Sequence, residues 1–122
     1  MSQRILLIED DEDLLQLFKI SLEKAGFQVF TAANGFDGIS TSMEHEIDLI
    51  LLDLMMPLAD GKDVLSMLRL NERSKDIPVI IISNLNQGTL ELSEMDEQVM
   101  DYWLKSDLTP KELTSRLLKY FS

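Results

Sequence analysis

The chain has 122 residues, 45% of them hydrophobic, which suits one domain with one core that needs no covalent staple. It has no cysteine, so disulfides and thiolate metal sites are excluded; the N-terminal apolar run 5–8 is too short for a signal peptide or membrane span, and a cytoplasmic, membrane-free protein is expected. A formal net charge of −11 argues against a nucleic-acid partner and suits divalent cations or partners with basic faces.

Residues 4–8 include four aliphatics without alternation, the mark of a strand buried on both faces. Residues 13–24 place Leu14, Leu15, Phe18 and Leu22 on one side of a helix that Gly26 stops. A second strand is predicted over 27–32, closed by Asn34-Gly35 as a turn, and a shorter helix over 36–45. The most hydrophobic strand, 48–52, is the expected centre of the sheet. A turn at 57–61 and a helix over 62–70 follow. Pro78 opens a strand that 79–82 continue. Residues 87–97 predict a helix, though charged and apolar residues separate poorly there, and 99–104 predict a strand. Thr109 and Pro110 are placed as N-cap and first residue of a last helix ending near Phe121.

The pattern is strand-helix five times, with no linker or repeat across 1–122. Continuous aliphatic strands alternating with helices imply an α/β fold, a five-stranded parallel sheet covered on both faces. Right-handed crossovers favour a doubly wound sheet, and the flavodoxin-like order 2-1-3-4-5 is one of its two common forms. Periodicity does not reveal strand order; this one is adopted as the expectation.

In such sheets ligands bind beyond the carboxyl ends of the strands. The first strand ends in Glu9-Asp10, the third in Asp53, the fourth in Ser83 and the fifth in Lys105. In the order 2-1-3-4-5 these ends are neighbours, so three acids, a hydroxyl and an amine share one pocket. That set suits phosphoryl transfer to a carboxylate. Asp53 is the candidate nucleophile. Crowded carboxylates raise the pKa of at least one of them, and a hard ion such as Mg²⁺ relieves the crowding and leaves room for a phosphate oxygen. Lys105 offers a point charge, and Ser83 a hydrogen-bond donor, to that phosphate.

Each residue also has a plainer reading. Acids over 9–13 favour the positive end of a helix. A lone Asp53 suits a turn or cap, Ser83 a strand end, and Lys105 the surface. Singly these readings suffice, but they do not explain why polar groups of complementary role end four adjacent strands.

Over essentially its whole length the chain resembles a response-regulator receiver domain of the CheY-like superfamily. Residues 5–11, Ile-Leu-Leu-Ile-Glu-Asp-Asp, resemble the first strand and acidic pair. Residues 48–57 with Asp60-Gly61 resemble the phosphoacceptor strand and its loop, the most specific of the matches. Residues 78–83 resemble the strand ending in the switch Ser/Thr, and 101–105 the fifth strand with its aromatic and lysine. The resemblance implies that Glu9, Asp10, Asp53 and the Met55 backbone carbonyl hold Mg²⁺ and that Asp53 is phosphorylated. It implies that Ser83 and Tyr102 move together when the phosphoryl group arrives. The donor would be a histidine kinase or phosphotransfer protein, and the output a downstream protein target. That target would dock on the face of the 87–97 helix, the fifth strand and the last helix. Phosphorylation adds roughly two negative charges, around which a two-state loop and helix reorganise. Because the chain ends with the last helix, a stand-alone receiver is expected.

Two positions depart from the family. Lys105 is followed by Ser106 where proline, often with a cis bond, is usual; a cis bond before a non-proline residue costs about 3 kcal/mol. Asn84 follows Ser83 where a smaller residue is usual, and is expected to narrow access to Asp53. Met55 and Leu85 are apolar where the family influences the hydrolysing water, so slow autodephosphorylation is expected, with no other enzymatic activity. A pseudo-receiver, a non-cycling interaction module, is the alternative. A Mg²⁺-dependent aspartyl hydrolase would want a second acid at Met55.

Among single residues, His45 is expected at the surface or as a cation at a helix C-terminus. The seven methionines are read mostly as core filler. Tyr102 and Trp103 are expected on opposite faces of the sheet, with Trp103 packed beneath a flanking helix.

Overall fold

Aliphatic runs without alternation become the interior strands of a single parallel sheet, seen in a computed structural model that describes residues 2–54, 61–84 and 99–122. The strands are β1 (Arg4–Ile8), β2 (Gln28–Ala32), β3 (Leu49–Asp53), β4 (Val79–Ser83) and β5 (Val99–Leu104), in the order β2-β1-β3-β4-β5. The helices are α1 (Glu12–Lys24), α2 (Gly35–Glu44), α3 (Gly61–Leu70) and α4 (Pro110–Tyr120). The expected strand order and central β3 are therefore found. The expected 87–97 helix lies outside the described residues, as do Met55, Met56, Leu85 and all but the last residue of the expected 57–61 turn.

Two cores explain why β1, β3 and β4 carry unbroken aliphatic runs. On one face Leu6, Ile8, Ile50, Leu52 and Ile81 pack with Ile39 of α2 and Val64, Leu65 and Leu68 of α3. On the other, Ile5, Leu7, Leu49, Leu51, Ile80 and Ile82 pack with Leu15, Phe18 and Leu22 of α1 and Leu113 and Leu117 of α4. Successive residues of one strand thus feed different cores, as the two-residue period of a strand requires.

Local chemistry sets the helix ends. Asp11 caps α1 by accepting from the Leu14 amide at 3.2 Å, with Glu12 and Asp13 in the first turn. Gly26, at φ +100, takes the left-handed conformation that ends α1. Asn34 is a cap rather than a simple turn residue: its Oδ1 accepts from the Asp37 amide at 2.9 Å, so α2 starts at Gly35, one residue earlier than expected. Thr109 caps α4 through the Glu112 amide at 3.0 Å, with Pro110 opening the helix. Asp48 stands outside β3, its carboxylate accepting from the Arg4 amide at 2.7 Å, which moves the strand one residue on and makes Asp53 its last member.

Helix α2 lies so close to β1 that Gly38 has no room for a side chain. A Cβ there would sit 2.5 Å from Ile8 Cδ1 and 2.9 Å from Ile8 Cγ1, and Ile8 is itself fully buried. Gly38→Val is expected to destabilise the fold by about 2 kcal/mol through overpacking. An unchanged denaturation midpoint would show that α2 can lift from the sheet without loss.

The edge strand β5 carries an irregularity. Val79 pairs with Val99 but Ile80 pairs with Asp101, so Met100 is an extra residue on β5. Beyond it Tyr102 packs against the α2/α3 core and Trp103 enters the α1/α4 core, the opposite faces expected. Trp103 Nε1 donates to Asp101 Oδ2 at 2.9 Å, and the Arg116 guanidinium lies 5.5 Å from the ring centre. His45 is exposed at the end of α2 and stacks on Phe30, with ring centres 4.5 Å apart.

Candidate functional site

Strand register gathers the polar residues foreseen at the strand ends. Ile8 pairs with Leu52, Asp53 with Ile82, and Ser83 with Leu104. Glu9, Asp53, Ser83 and Lys105 therefore end four neighbouring strands at about the same height. The Glu9 amide donates to the Ala32 carbonyl at 3.0 Å, extending the β1–β2 ladder and holding Glu9 against the sheet.

Glu9, Asp53 and Ser83 are buried, Asp10 is exposed, and Lys105 is partly buried with 21% of its side chain exposed. Carboxylate oxygens of Glu9, Asp10 and Asp53 all lie within 4.8 Å of one another. The Lys105 ammonium spans the two buried acids, donating to Glu9 Oε1 at 2.7 Å and Asp53 Oδ2 at 3.1 Å. Glu9 Oε1 also accepts from the Asp11 amide at 3.2 Å. The Tyr102 hydroxyl, half-buried, reaches the Ser83 carbonyl at 3.4 Å. Met55, whose carbonyl was expected here, lies outside the described residues.

The charges are unevenly compensated. Burial, reinforced by the neighbouring Asp53, pushes the Glu9 carboxyl up to about 7, although the Lys105 hydrogen bond pulls the other way. For Lys105, burial alone would lower the pKa. The hydrogen bond to Glu9 and the charges of Asp53 and Glu9 outweigh it and hold the ammonium above its usual range. Glu9 Oε2 is buried without a hydrogen-bond partner among the described residues, and such atoms ordinarily have one. An orphaned carboxylate oxygen beside two further carboxylates, one of them open to solvent, fits a small hard cation.

This carries a pH dependence of definite sign. A carboxyl that titrates at 4.5 in the unfolded chain and at about 7 in the fold takes up a proton on folding between those values. Its contribution to stability is full below 4.5 and is lost as pH rises through 7. A cation bound between these carboxylates would replace that proton. The rise in unfolding midpoint on adding Mg²⁺ is expected to be small near about pH 5 and large near about pH 8. Thermal melts at the two pH values check this, and an equal shift at both would refute the role given to Glu9.

The two departures at this end of the sheet meet. Asn84 is exposed, and its Oδ1 accepts the Ser106 amide proton at 2.8 Å. Lys105–Asp107 form a single 3₁₀ turn, closed by the Leu108 amide on the Lys105 carbonyl at 3.1 Å. No cis peptide bond occurs among the described residues. Asn84 is thus committed to the loop after β5. The capping role of Asp11 was signalled in the sequence by an acid just before a helix; the Asn84–Ser106 bond had no local signal.

Comparison with known proteins agrees with this arrangement. Residues 5–118 match the response regulator receiver domain family. The chain is 40% identical over 102 residues to the DNA-binding dual master transcriptional regulator RpaA of Synechocystis sp., a match covering 84% of this chain and 42% of that protein. The chain spans less than half the length of the curated relatives it matches. The receiver domain of sensor histidine kinase PA1611 from Pseudomonas aeruginosa, solved with a magnesium ion coordinated in its active site cleft, superposes with a TM-score of 0.81 at 27% identity, covering 98% of this chain and 97% of that one. The chemotaxis protein CheY4 of Vibrio cholerae shares the fold, with a TM-score of 0.83 at 21% identity and 98% of each chain covered. On a match that spans residues 5–118, this chain belongs to the response regulator receiver domain family.

Proposed function

We propose that this signalling domain works as a phosphorylation-dependent switch of a two-component system, with Asp53 as phosphoacceptor. The observation that carries the reading is the Lys105 ammonium, which bridges buried Glu9 and buried Asp53 beside the exposed carboxylate of Asp10. A carboxylate oxygen of Asp53 attacks phosphorus in the phosphohistidine of a histidine kinase or phosphotransfer protein. The P–N bond breaks, the imidazole nitrogen keeps the electron pair, and an acyl phosphate forms on Asp53. Lys105 then follows the charge from the carboxylate to the phosphoryl oxygens. Ser83 donates its hydroxyl to a phosphoryl oxygen, and Tyr102, already joined to the Ser83 carbonyl, moves with it.

Glu9, Asp10 and Asp53, with the Met55 carbonyl, would hold Mg²⁺, which supplies neutralisation of phosphoryl charge. The signal would leave through β5, α4 and the 87–97 segment to a protein target in the cytoplasm. At a net charge of −11, protein contact suits this domain better than a nucleic-acid surface. Among the described residues no helix is long and apolar enough to cross a membrane. Met55 and Leu85 are apolar at the sequence positions where the family influences the hydrolysing water, which supports slow autodephosphorylation.

The test is to incubate the protein with Mg²⁺ and acetyl phosphate and to weigh it intact. A lasting phosphoryl adduct supports the switch. No adduct supports a non-cycling pseudo-receiver, and catalytic release of phosphate supports a hydrolase.

A further inference from the structure

We infer that Asn84 and Ser106 form one positioning device that sets where Lys105 stands, an inference that rests on the phosphoacceptor reading of Asp53. The β4–β5 ladder ends at the pair Ser83 and Leu104. One residue past the end of β4, the Asn84 side-chain carbonyl accepts the Ser106 amide at 2.8 Å, adding a rung after the last backbone pair. Lys105 lies between that rung and the ladder. Its carbonyl is held by the Leu108 amide at 3.1 Å, so the peptide unit that joins Lys105 to Ser106 is held at both its N–H and its carbonyl. A lysine side chain has a long flexible stem, so the placement of its ammonium depends on how firmly its backbone is held. Here the ammonium falls on Glu9 Oε1 and Asp53 Oδ2 together.

The two residues are complementary in chemistry. The rung needs a backbone N–H at position 106, which proline does not have. It also needs an acceptor that reaches across from position 84, which a small side chain does not supply. Asn84 and Ser106 therefore make sense as a pair and not singly. Both are exposed and neither touches the reacting atoms, so they act through Lys105.

A double-mutant cycle with acetyl phosphate and saturating Mg²⁺ tests this, using the full chain and Asp53→Asn as blank. Asn84→Ala and Ser106→Pro are each expected to slow phosphoryl uptake about fivefold, the effect of one lost hydrogen bond. The double variant should be no slower than the singles, because one bond has been removed twice. In Asn84→Ala the Ser106 amide proton resonance should move upfield, and Mg²⁺ affinity should stay that of the wild type in every variant. A double variant slowed about 25-fold, the product of two independent losses, overturns the inference. So do single variants with wild-type rates, an unmoved Ser106 resonance, or Mg²⁺ affinity that falls in step with the rate. A wild-type protein that takes up no phosphoryl group on Asp53 overturns the phosphoacceptor reading, and the inference with it; failure of the cycle alone leaves that reading standing.

Discussion

Asn in place of Asp53 is expected to take up no phosphoryl group from acetyl phosphate and Mg²⁺, while folding at least as stably as the wild type. The amide keeps the shape of the carboxyl group but is no nucleophile toward phosphorus at neutral pH. The same change removes a charge from beside Glu9. Asp53 is one of the causes that raise the Glu9 carboxyl to about 7, second to burial, so that carboxyl should titrate lower in the variant. At neutral pH the cost of ionising Glu9 falls accordingly, which offsets the loss of the 3.1 Å contact between Asp53 and Lys105, so metal-free stability should not fall below that of the wild type. Intact mass and a denaturation curve read the two effects together. An adduct that survives the substitution would place the acceptor elsewhere. A variant that loses both the adduct and its fold would make Asp53 a structural residue first.

Replacing Lys105 by Met, which keeps the stem and discards the charge, has the second large effect. The ammonium is the cation that meets both buried acids among the described residues, at 2.7 Å and 3.1 Å. Without it the charge developing on the transferred phosphoryl group loses a fixed partner, and uptake should fall about 100-fold. Stability should fall as well, in a pH-dependent way. Removing one partner of a buried ion pair costs about 3–5 kcal/mol when the other charge stays buried and ionised. Glu9 escapes part of this by taking a proton, and losing Lys105 raises its pKa further. The loss should therefore be small near about pH 5 and approach the full figure near about pH 8. Equal destabilisation at both values would mean that Lys105 acts through packing of its stem rather than through charge.

Much of the fold was legible because burial on two faces leaves a plain mark. Residues 49–53 and 79–83 are buried throughout, and their sequences, Leu-Ile-Leu-Leu-Asp and Val-Ile-Ile-Ile-Ser, lack the alternation of a half-exposed strand. The cap at Thr109 was legible for a different reason: it is local, needing only a side-chain oxygen and an amide three residues on, whereas Asp11 caps α1 in the same way although the helix was expected to begin only at residue 13. Asn34 shows the limit of local reading. Asn-Gly suits a turn as well as a helix start, and the close packing of α2 on β1 at Gly38 accompanies the start of the helix at Gly35.

For Asp53 and its neighbours, sequence determined the chemical types and their places at the ends of strands, because a polar residue closing a buried aliphatic run is visible in one dimension. Tertiary structure decided what those groups do to one another. The β1–β3–β4–β5 register brings Glu9 and Asp53 under a single ammonium, and the removal of water around Glu9 lifts its carboxyl to about 7. Neither follows from spacing along the chain, since Lys105 lies 96 residues from Glu9 and 52 from Asp53. The same holds for Asn84 and Ser106, two separate departures in sequence that the adjacency of β4 and β5 turns into one hydrogen bond. Composition and order along the chain specify which groups arrive at the sheet edge. Distance and desolvation, set only when the sheet closes, decide which of them are paired.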